Sequence, residues 1–278
     1  MRDLMRTVIL CGVASACSTP APSAVVAKLP ATPYRSSDWQ LVVEQVGPLK
    51  TPCDFTNGTL KVTLLDGEWA LVGLEGALLK VNHTDCTGSP LSRTNVKKVE
   101  VVVKADEERN LGVHALVDQS AGALVPGLRY REPTDADPEI LPVGAVTVSL
   151  RGSPKDPFDK DELWVRTTAK NDAVSFVGGM TPDAGALSTG KLSVPAYQRT
   201  RDIEATGLKV LALFSDSGDD VIDASAAPFT LRLFGGGGQD TLLGGSGADQ
   251  LDGGPGADRL LGGGGDDDLA GDDGDDVL

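Results

Sequence analysis

Aspartate recurs every nine residues near the C-terminus of this 278-residue chain. The positions are Asp240, Asp249, Asp258, Asp267 and Asp276. A leucine follows each aspartate two positions later, at Leu242, Leu251, Leu260, Leu269 and Leu278. Carboxylate oxygens are the ligands that hard cations prefer, and calcium takes six to eight of them. The spacing therefore predicts a series of calcium sites.

Glycine occupies positions one, two and four of most nonapeptide units, from GGGGQDTLL (235–243) to GGGGDDDLA (262–270). Glycine permits the backbone angles of a tight turn, and the three residues after the aspartate then form a short strand with its leucine directed inward. Two units make one coil, and neighbouring coils lie about 4.8 Å apart. The predicted stacks are Asp240 on Asp258 on Asp276, and Asp249 on Asp267. A calcium ion between coils would remove the repulsion between stacked carboxylates and accept turn carbonyls as further ligands.

These units resemble the RTX, or haemolysin-type, calcium-binding repeat G-G-x-G-x-D-x-U-x, in which U is a large apolar residue. The resemblance implies a parallel β-roll over residues 211–278, with the five aspartates and turn carbonyls as calcium ligands. A degenerate unit, SDSGDDVID (215–223), adds Asp220, which lies 20 residues before Asp240 where two regular units would span 18. Residues 224–234 would then be a lengthened half-coil. The stacked pairs predict about three calcium ions, and the pair Asp220/Asp240 would hold a fourth.

The negative charge of the chain is concentrated at the same end. The formal net charge is −15, and residues 215–278 contribute 15 Asp and no Glu against Arg232 and Arg259, a net charge of −13. Such a segment repels nucleic acid and anionic membranes, so we expect no nucleic-acid partner. Too few apolar side chains accompany this charge to offset the entropy of ordering, so we expect the segment to fold only when it binds calcium.

The elements upstream of the repeats are predicted to be strands. Residues 37–210 contain short β-type runs separated by polar, Gly- or Pro-bearing breaks, and no stretch shows a helical apolar period. The runs are Leu41–Val43, Leu60–Leu64, Val99–Val103, Val146–Leu150 and Leu163–Val165. The fold class is therefore all-β. The region resembles the degenerate strand-rich part that precedes RTX repeats in bacterial surface proteins, which favours a continuous solenoid; a β-sandwich is the alternative.

The N-terminus has the pattern of an export signal over residues 1–16. Arg2 and Arg6 precede an apolar run, and Ala14-Ser15-Ala16 precedes Cys17. Small residues before a cysteine resemble a bacterial lipoprotein box, so Cys17 is predicted to carry lipid and to anchor the chain to a membrane. Plain secretion and no export are the alternatives. Residues 17–36, rich in Pro and Ala, are predicted to be a flexible tether.

Cys53 and Cys86 are the pair that remains outside the signal and the lipidation site, and in an exported chain this predicts a disulfide. Two buried thiols are the alternative.

Signatures of catalysis are absent from the sequence. Neither His83 nor His114 begins an H-E-x-x-H motif, and no G-x-S-x-G motif occurs. His83, close to Asp85 and Cys86, is interpreted as a surface histidine beside the disulfide.

Two further groups of side chains have structural interpretations. Acidic residues between Asp156 and Glu162 are interpreted as a solvated loop, because they lack the EF-hand spacing. The three tryptophans, Trp39, Trp69 and Trp164, are interpreted as core residues and not as a sugar-binding platform.

The sequence thus predicts a calcium-binding, non-enzymatic protein at the cell surface or outside the cell, with a structural or binding role. Two alternatives remain: an exported enzyme whose active site lies in residues 37–210, and an adhesin that binds polysaccharide or another cell. The sequence identifies neither a polysaccharide nor a protein partner.

Overall fold

The structure is a computed structural model. It describes residues 35, 37–51, 53–65, 67–86, 90–92, 95–104, 112–121, 146–150, 161–178, 184–191 and 200–278. The predicted signal peptide, Cys17 and the tether apart from Arg35 lie outside the described residues. Within those residues, no helix is long and apolar enough to cross a bilayer.

The described residues form one short helix and nineteen strands. In chain order the elements are α1 (Asp38–Val43), β1 (Asp54–Thr56), β2 (Thr59–Leu64), β3 (Trp69–Glu75), β4 (Leu78–Val81), β5 (Leu91–Ser92), β6 (Lys98–Val103), β7 (His114–Asp118), β8 (Val146–Ser149), β9 (Glu162–Arg166), β10 (Asp172–Gly178), β11 (Ala184–Lys191), β12 (Thr200–Thr206), β13 (Val210–Phe214), β14 (Val221–Asp223), β15 (Thr230–Phe234), β16 (Thr241–Leu243), β17 (Gln250–Asp252), β18 (Arg259–Leu261) and β19 (Asp268–Ala270). The elements up to β13 are termed the body, and residues 215–278 are termed the tail.

The strands of the described residues form two sheets. Sheet A has the order β1-β2-β6-β8-β12-β11-β10-β14-β16-β18, and sheet B has the order β19-β17-β15-β13-β9-β7-β3-β4-β5. In the tail the chain alternates between the sheets, so that each coil has one strand in sheet A and one in sheet B. All strand pairs that join successive tail coils are parallel. This arrangement is the predicted parallel β-roll.

The same alternation begins in the body. The neighbours β2, β6 and β8 are parallel in sheet A, and β3, β7, β9 and β13 are parallel in sheet B. The prediction of a degenerate solenoid is therefore confirmed, and the sandwich alternative is not. One departure lies in sheet A, where β10, β11 and β12 form an antiparallel meander between β8 and β14.

Alternate side chains of each strand fill the space between the sheets. In β2, Leu60, Val62 and Leu64 are fully buried while Lys61 is exposed. The three-residue strands of the tail contribute one apolar side chain each, as Leu242 does in β16. After β15, the interior of the tail is consequently only one residue deep along each strand, which offers little hydrophobic stabilisation per coil.

Antiparallel hairpins lie at the upstream end of the solenoid. In sheet A, β1 pairs antiparallel with β2, and in sheet B, β4 pairs antiparallel with both β3 and β5. Cys53, just before β1, forms a disulfide with Cys86, which follows β4. The predicted disulfide is confirmed, and it joins the start of β1, the edge strand of sheet A, to the segment between β4 and β5 of sheet B. Both half-cystines pack against the interior apolar cluster.

The prediction of a strand at Leu41–Val43 is wrong, because these residues belong to α1. Trp39, Val42 and Val46 are buried at helical spacing, while Leu41 is exposed. The apolar period of these three residues is therefore that of a helix.

Helix α1 packs on the outer face of sheet B. There its side chains meet Trp69, Trp164 and Phe214, and the ring centroids of Trp39 and Phe214 are 5.4 Å apart. All three tryptophans are buried in this one cluster, so their interpretation as packing residues is confirmed.

Candidate metal centre

The turns of the tail explain the glycine pattern. A Cβ at position one would collide with the carboxylate of the same turn, as Gly235 lies against Oδ2 of Asp240. A Cβ at position two would collide with a carbonyl of the preceding coil, as Gly254 lies against the Gly236 carbonyl, and Gly254 also has a φ of +89°. Position three has open space, and varied residue types occupy it. The glycines thus let backbone oxygens and a carboxylate crowd into each turn.

Each repeat aspartate connects its coil to the preceding one. The backbone N–H of Asp220 donates to Oδ1 of Asp240 (2.7 Å), that of Asp240 to Oδ1 of Asp258 (2.8 Å), and that of Asp258 to Oδ1 of Asp276 (2.9 Å). These residues and their turns are termed the Asp240 row. The structure thus brings together the predicted stack and aligns Asp220 with it. The two additional residues are accommodated between β14 and β16, where the register pairs Val221 with Thr241.

The second row of turns lies at the opposite side of the roll. The N–H of Asp249 donates to Oδ1 of Asp267 (2.9 Å), and the N–H of Leu231 donates to Oδ1 of Asp249 (2.8 Å). Asp249, Asp267 and their turns are termed the Asp249 row. The predicted stack of Asp249 on Asp267 is therefore present.

The second carboxylate oxygen distinguishes individual aspartates. The Oδ2 atoms of Asp220, Asp240 and Asp258 are buried and have no hydrogen-bond partner within the described part of the chain. Each of these three residues is only 1% exposed. A buried anionic oxygen without a partner is costly, so these atoms indicate a missing positive ligand.

The pKa values of the row aspartates reflect the same cost of burying an ionised carboxylate. Burial raises the pKa of Asp220 to about 8 and that of Asp240 to about 6. The neighbouring carboxylate in the row adds to each rise, whereas the backbone N–H that donates to the carboxylate partly offsets it. Burial also raises the pKa of Asp258 and of Asp249. The ionised form of the row is therefore unfavourable without a cation.

Asp172, which the nine-residue pattern did not predict, extends the Asp240 row into the body. Its N–H donates to Oδ1 of Asp220 (2.6 Å), as within the tail. Its own Oδ2 accepts hydrogen bonds from the N–H (2.8 Å) and the hydroxyl (2.7 Å) of Thr168. Asp172 lies 48 residues before Asp220, so the nine-residue period carried no signal for it.

The donor set fits calcium. Within the described residues, no group of three or more His, Cys, Asp or Glu side chains could hold a metal by itself. A calcium site in this roll would therefore combine one carboxylate per turn with backbone carbonyls, which are hard oxygen ligands of the kind calcium accepts. The residues that would hold the ions are Asp220, Asp240, Asp258 and Asp276 in one row and Asp249 and Asp267 in the other.

The interpretation of a solvated loop at residues 156–162 is wrong for its last two members. Asp161 is buried, and its Oδ1 accepts the N–H of Val113 (2.9 Å). Glu162 is buried and accepts hydrogen bonds from the Trp164 indole (2.6 Å) and the Arg232 guanidinium (2.8 Å). Both carboxylates are structural, because they connect neighbouring coils or strands. Residues 155–160 lie outside the described residues.

The two histidines lie in different settings. His83 is exposed, as predicted, and its Nδ1 is 2.7 Å from Oε1 of Glu75. His114 is buried and stacks on Trp69 with ring centroids 4.1 Å apart. Burial lowers the pKa of His114, although the nearby Glu162 opposes that shift. The two side chains do not share a site.

A cavity of about 420 Å³ lies where the body meets the tail. Arg166 and Asp216 line it together with Phe214 and Phe234, and the two charged groups form an ion pair at 2.8 Å. The charges in this cavity therefore neutralise each other.

Comparison with protein families matches residues 232–260 and 243–278 to the RTX calcium-binding nonapeptide repeat (4 copies). This segment is therefore composed of RTX-type repeats, and such repeats bind calcium. They are typical of secreted bacterial proteins. No curated protein and no solved structure matches the chain. Asp220 and Asp172 lie upstream of the matched residues.

Proposed function

We propose that this chain, in which residues 232–278 are RTX-type calcium-binding repeats, is an exported, non-enzymatic protein whose tail folds around calcium and serves a structural or binding role outside the cell.

The observation that carries the proposal is the set of three buried Oδ2 atoms, at Asp220, Asp240 and Asp258, that have no partner among the described residues. The tail has a net charge of −13, and each of its three-residue strands directs only one apolar side chain towards the interior. Calcium supplies positive charge and accepts several hard oxygens at once. A ligand that binds only the folded tail stabilises it by mass action.

The body supports the tail without calcium. The stack of Phe214 on Phe234, with ring centroids 4.6 Å apart, continues the apolar cluster of the body into the first tail coil. Glu162 of β9 forms an ion pair with Arg232 at 2.8 Å. We therefore place the start of the calcium-dependent segment at about residue 235, after β15.

Hydrogen exchange on the full chain, with calcium and with a chelator, tests the proposal. With calcium, the amide protons of β16 to β19 should be protected; with the chelator they should exchange at close to the unfolded rate, while those of β2, β6 and β7 stay protected. Circular dichroism should show the matching gain of β-signal in a calcium titration. Magnesium is the matched control, and it should substitute poorly because it requires a smaller octahedral site and retains its water. Protection of β16 to β19 that is the same with and without calcium would refute the proposal.

The proposal includes attachment to a membrane through a lipid on Cys17, supported by the Ala14-Ser15-Ala16-Cys17 sequence. Cys17→Ala should then release the protein from the membrane fraction. Wild-type protein that is already soluble and unmodified would contradict the lipid anchor and leave plain secretion as the route.

The proposal assigns no catalytic role to the body. It is supported by the mutual neutralisation of Arg166 and Asp216 in the cavity at the junction.

A further inference from the structure

The two rows of turns contain different numbers of carboxylates. The Asp240 row continues through five successive coils. Its members are Asp172, Asp220, Asp240, Asp258 and Asp276. In the Asp249 row the position before Asp249 is taken by Leu231, an apolar residue. Asp249 therefore has a carboxylate neighbour on one side only, which is Asp267.

The free oxygen of the carboxylate also differs between the rows. Oδ2 of Asp249 accepts the N–H of Gly245, in its own turn, at 2.7 Å. The equivalent oxygens of Asp220, Asp240 and Asp258 have no partner in the described residues. An N–H directed at a carboxylate oxygen satisfies it and presents a positive dipole where a cation would have to approach.

The first turn of the Asp240 row shows how protein atoms alone can satisfy this position. There, Thr168 donates both its N–H and its hydroxyl to Oδ2 of Asp172. The row thus begins with a turn that needs no cation, and three turns with a bare, buried oxygen follow. Asp249, with its one amide donor, resembles Asp172 more than it resembles Asp240.

From these contacts we infer that the two rows bind calcium unequally: the Asp240 row supplies the tight sites, whereas the turn of Asp249 is closed by the Gly245 amide and binds calcium weakly. The inference rests on the proposed function, because it presumes that the tail binds calcium. It assigns three tight sites, one for each bare oxygen of Asp220, Asp240 and Asp258. The site at Asp220 lies outside the segment that matches the RTX repeat.

Two matched variants of the full chain test this inference. Asp240→Asn and Asp249→Asn each keep an Oδ1 atom that can accept the N–H of the preceding coil, and each replaces Oδ2 with an amide group that cannot bind a cation. Isothermal titration with calcium gives the affinities, and native mass spectrometry at low calcium counts the tightly bound ions.

Asp240→Asn should lose at least one tight ion and raise the calcium concentration at half-saturation by about tenfold or more. Asp249→Asn should keep the wild-type number of tight ions, with a shift below about threefold. Loss of a tight ion in Asp249→Asn equal to the loss in Asp240→Asn would overturn the inference. Wild-type protein that binds no calcium would instead refute the proposed function.

Failure of Asp240→Asn to fold at saturating calcium would not remove the test. Circular dichroism would reveal that failure, and the number of tight ions in Asp249→Asn then decides alone. The wild-type number supports the inference, and a smaller number contradicts it.

Discussion

In both the body and the tail, a backbone N–H of one coil donates to an aspartate carboxylate of the next coil. The two regions differ in what contacts the second oxygen of that carboxylate. In the body, Oδ1 of Asp161 accepts an N–H of the neighbouring coil, and Oδ2 of Asp172 accepts two hydrogen bonds from Thr168. In the tail, Asp220 and Asp240 accept an N–H of the preceding coil through Oδ1, but their Oδ2 atoms are buried and have no partner in the described residues. Protein donors therefore satisfy these oxygens in the body, whereas the bare oxygens of the tail are where we propose that calcium binds.

The body also has more apolar packing than the tail. The body has a wide interior, a second cluster under helix α1 and a disulfide between its two sheets. The tail has one buried side chain for each three-residue strand. Under the proposed function, the solenoid keeps one backbone geometry while its source of stability changes from hydrophobic burial to ion binding along its length.

The largest effect is expected for Leu242→Ala, which tests how much the thin interior of the tail contributes when calcium is bound. Leu242 is fully buried, so its truncation should lower the free energy of unfolding of the calcium-loaded tail by about 2–5 kcal/mol. Denaturant unfolding followed by hydrogen exchange in β16 to β19 measures it. Leu261→Ala is the matched control, because Leu261 is 54% exposed, and its effect should stay below about 0.5 kcal/mol. Equal effects of the two variants would show that calcium alone stabilises the tail.

Removal of the Cys53–Cys86 disulfide should act on the body and not on calcium binding. The bridge closes a loop with a sequence separation of 33 residues, and the variant with both cysteines replaced by serine should lose about 2–4 kcal/mol of stability. Thermal unfolding of the body measures this loss. The calcium concentration at half-saturation should stay at the wild-type value, because the disulfide lies at the opposite end of the solenoid. A parallel change in calcium affinity would mean that body and tail unfold as one unit.

The smallest effect is expected from pH. The turn of Asp220 lies before residue 235, so we expect it to stay folded on the body without calcium, with the pKa of Asp220 at about 8, above the ordinary value near 3.9 of an unfolded chain. Folding of this turn takes up a proton between these two pH values, and its stability without calcium should fall as the pH rises towards 8. Because calcium must displace that proton, its affinity should weaken several-fold as the pH is lowered from 8 to 6. Calcium titrations at these two pH values measure the shift.

Asp220→Asn is the control for the pH effect, since it removes the group with the highest of these pKa values. The pH dependence of calcium binding should become smaller in this variant. A pH dependence that stays the same would assign the proton to another group of the tail.

Most of the tail and of its site could be predicted from the sequence. The nine-residue period placed Asp240, Asp258 and Asp276 in one stack and Asp249 and Asp267 in the other, and the hydrogen bonds have that order. In the body, the runs at Leu60–Leu64 and Val99–Val103 predicted strands correctly. The helical spacing of Trp39, Val42 and Val46 was missed, because a run of Leu-Val-Val suits either a strand or a helix until its packing surface is known.

The sequence by itself determined the repeat, because each nonapeptide carries its own turn, strand and carboxylate within nine residues. It also determined the strongly acidic character of the tail, since the net charge of −13 in residues 215–278 is a property of composition. Only the tertiary structure decided which of these carboxylates accept a hydrogen bond from the protein on the second oxygen. Thr168 satisfies Asp172 and Gly245 closes Asp249 within single turns, across four residues, whereas Oδ2 of Asp220 has no partner in the described residues. These differences depend on the backbone geometry that each turn adopts in the packed roll, and the nine-residue periodicity does not encode that geometry.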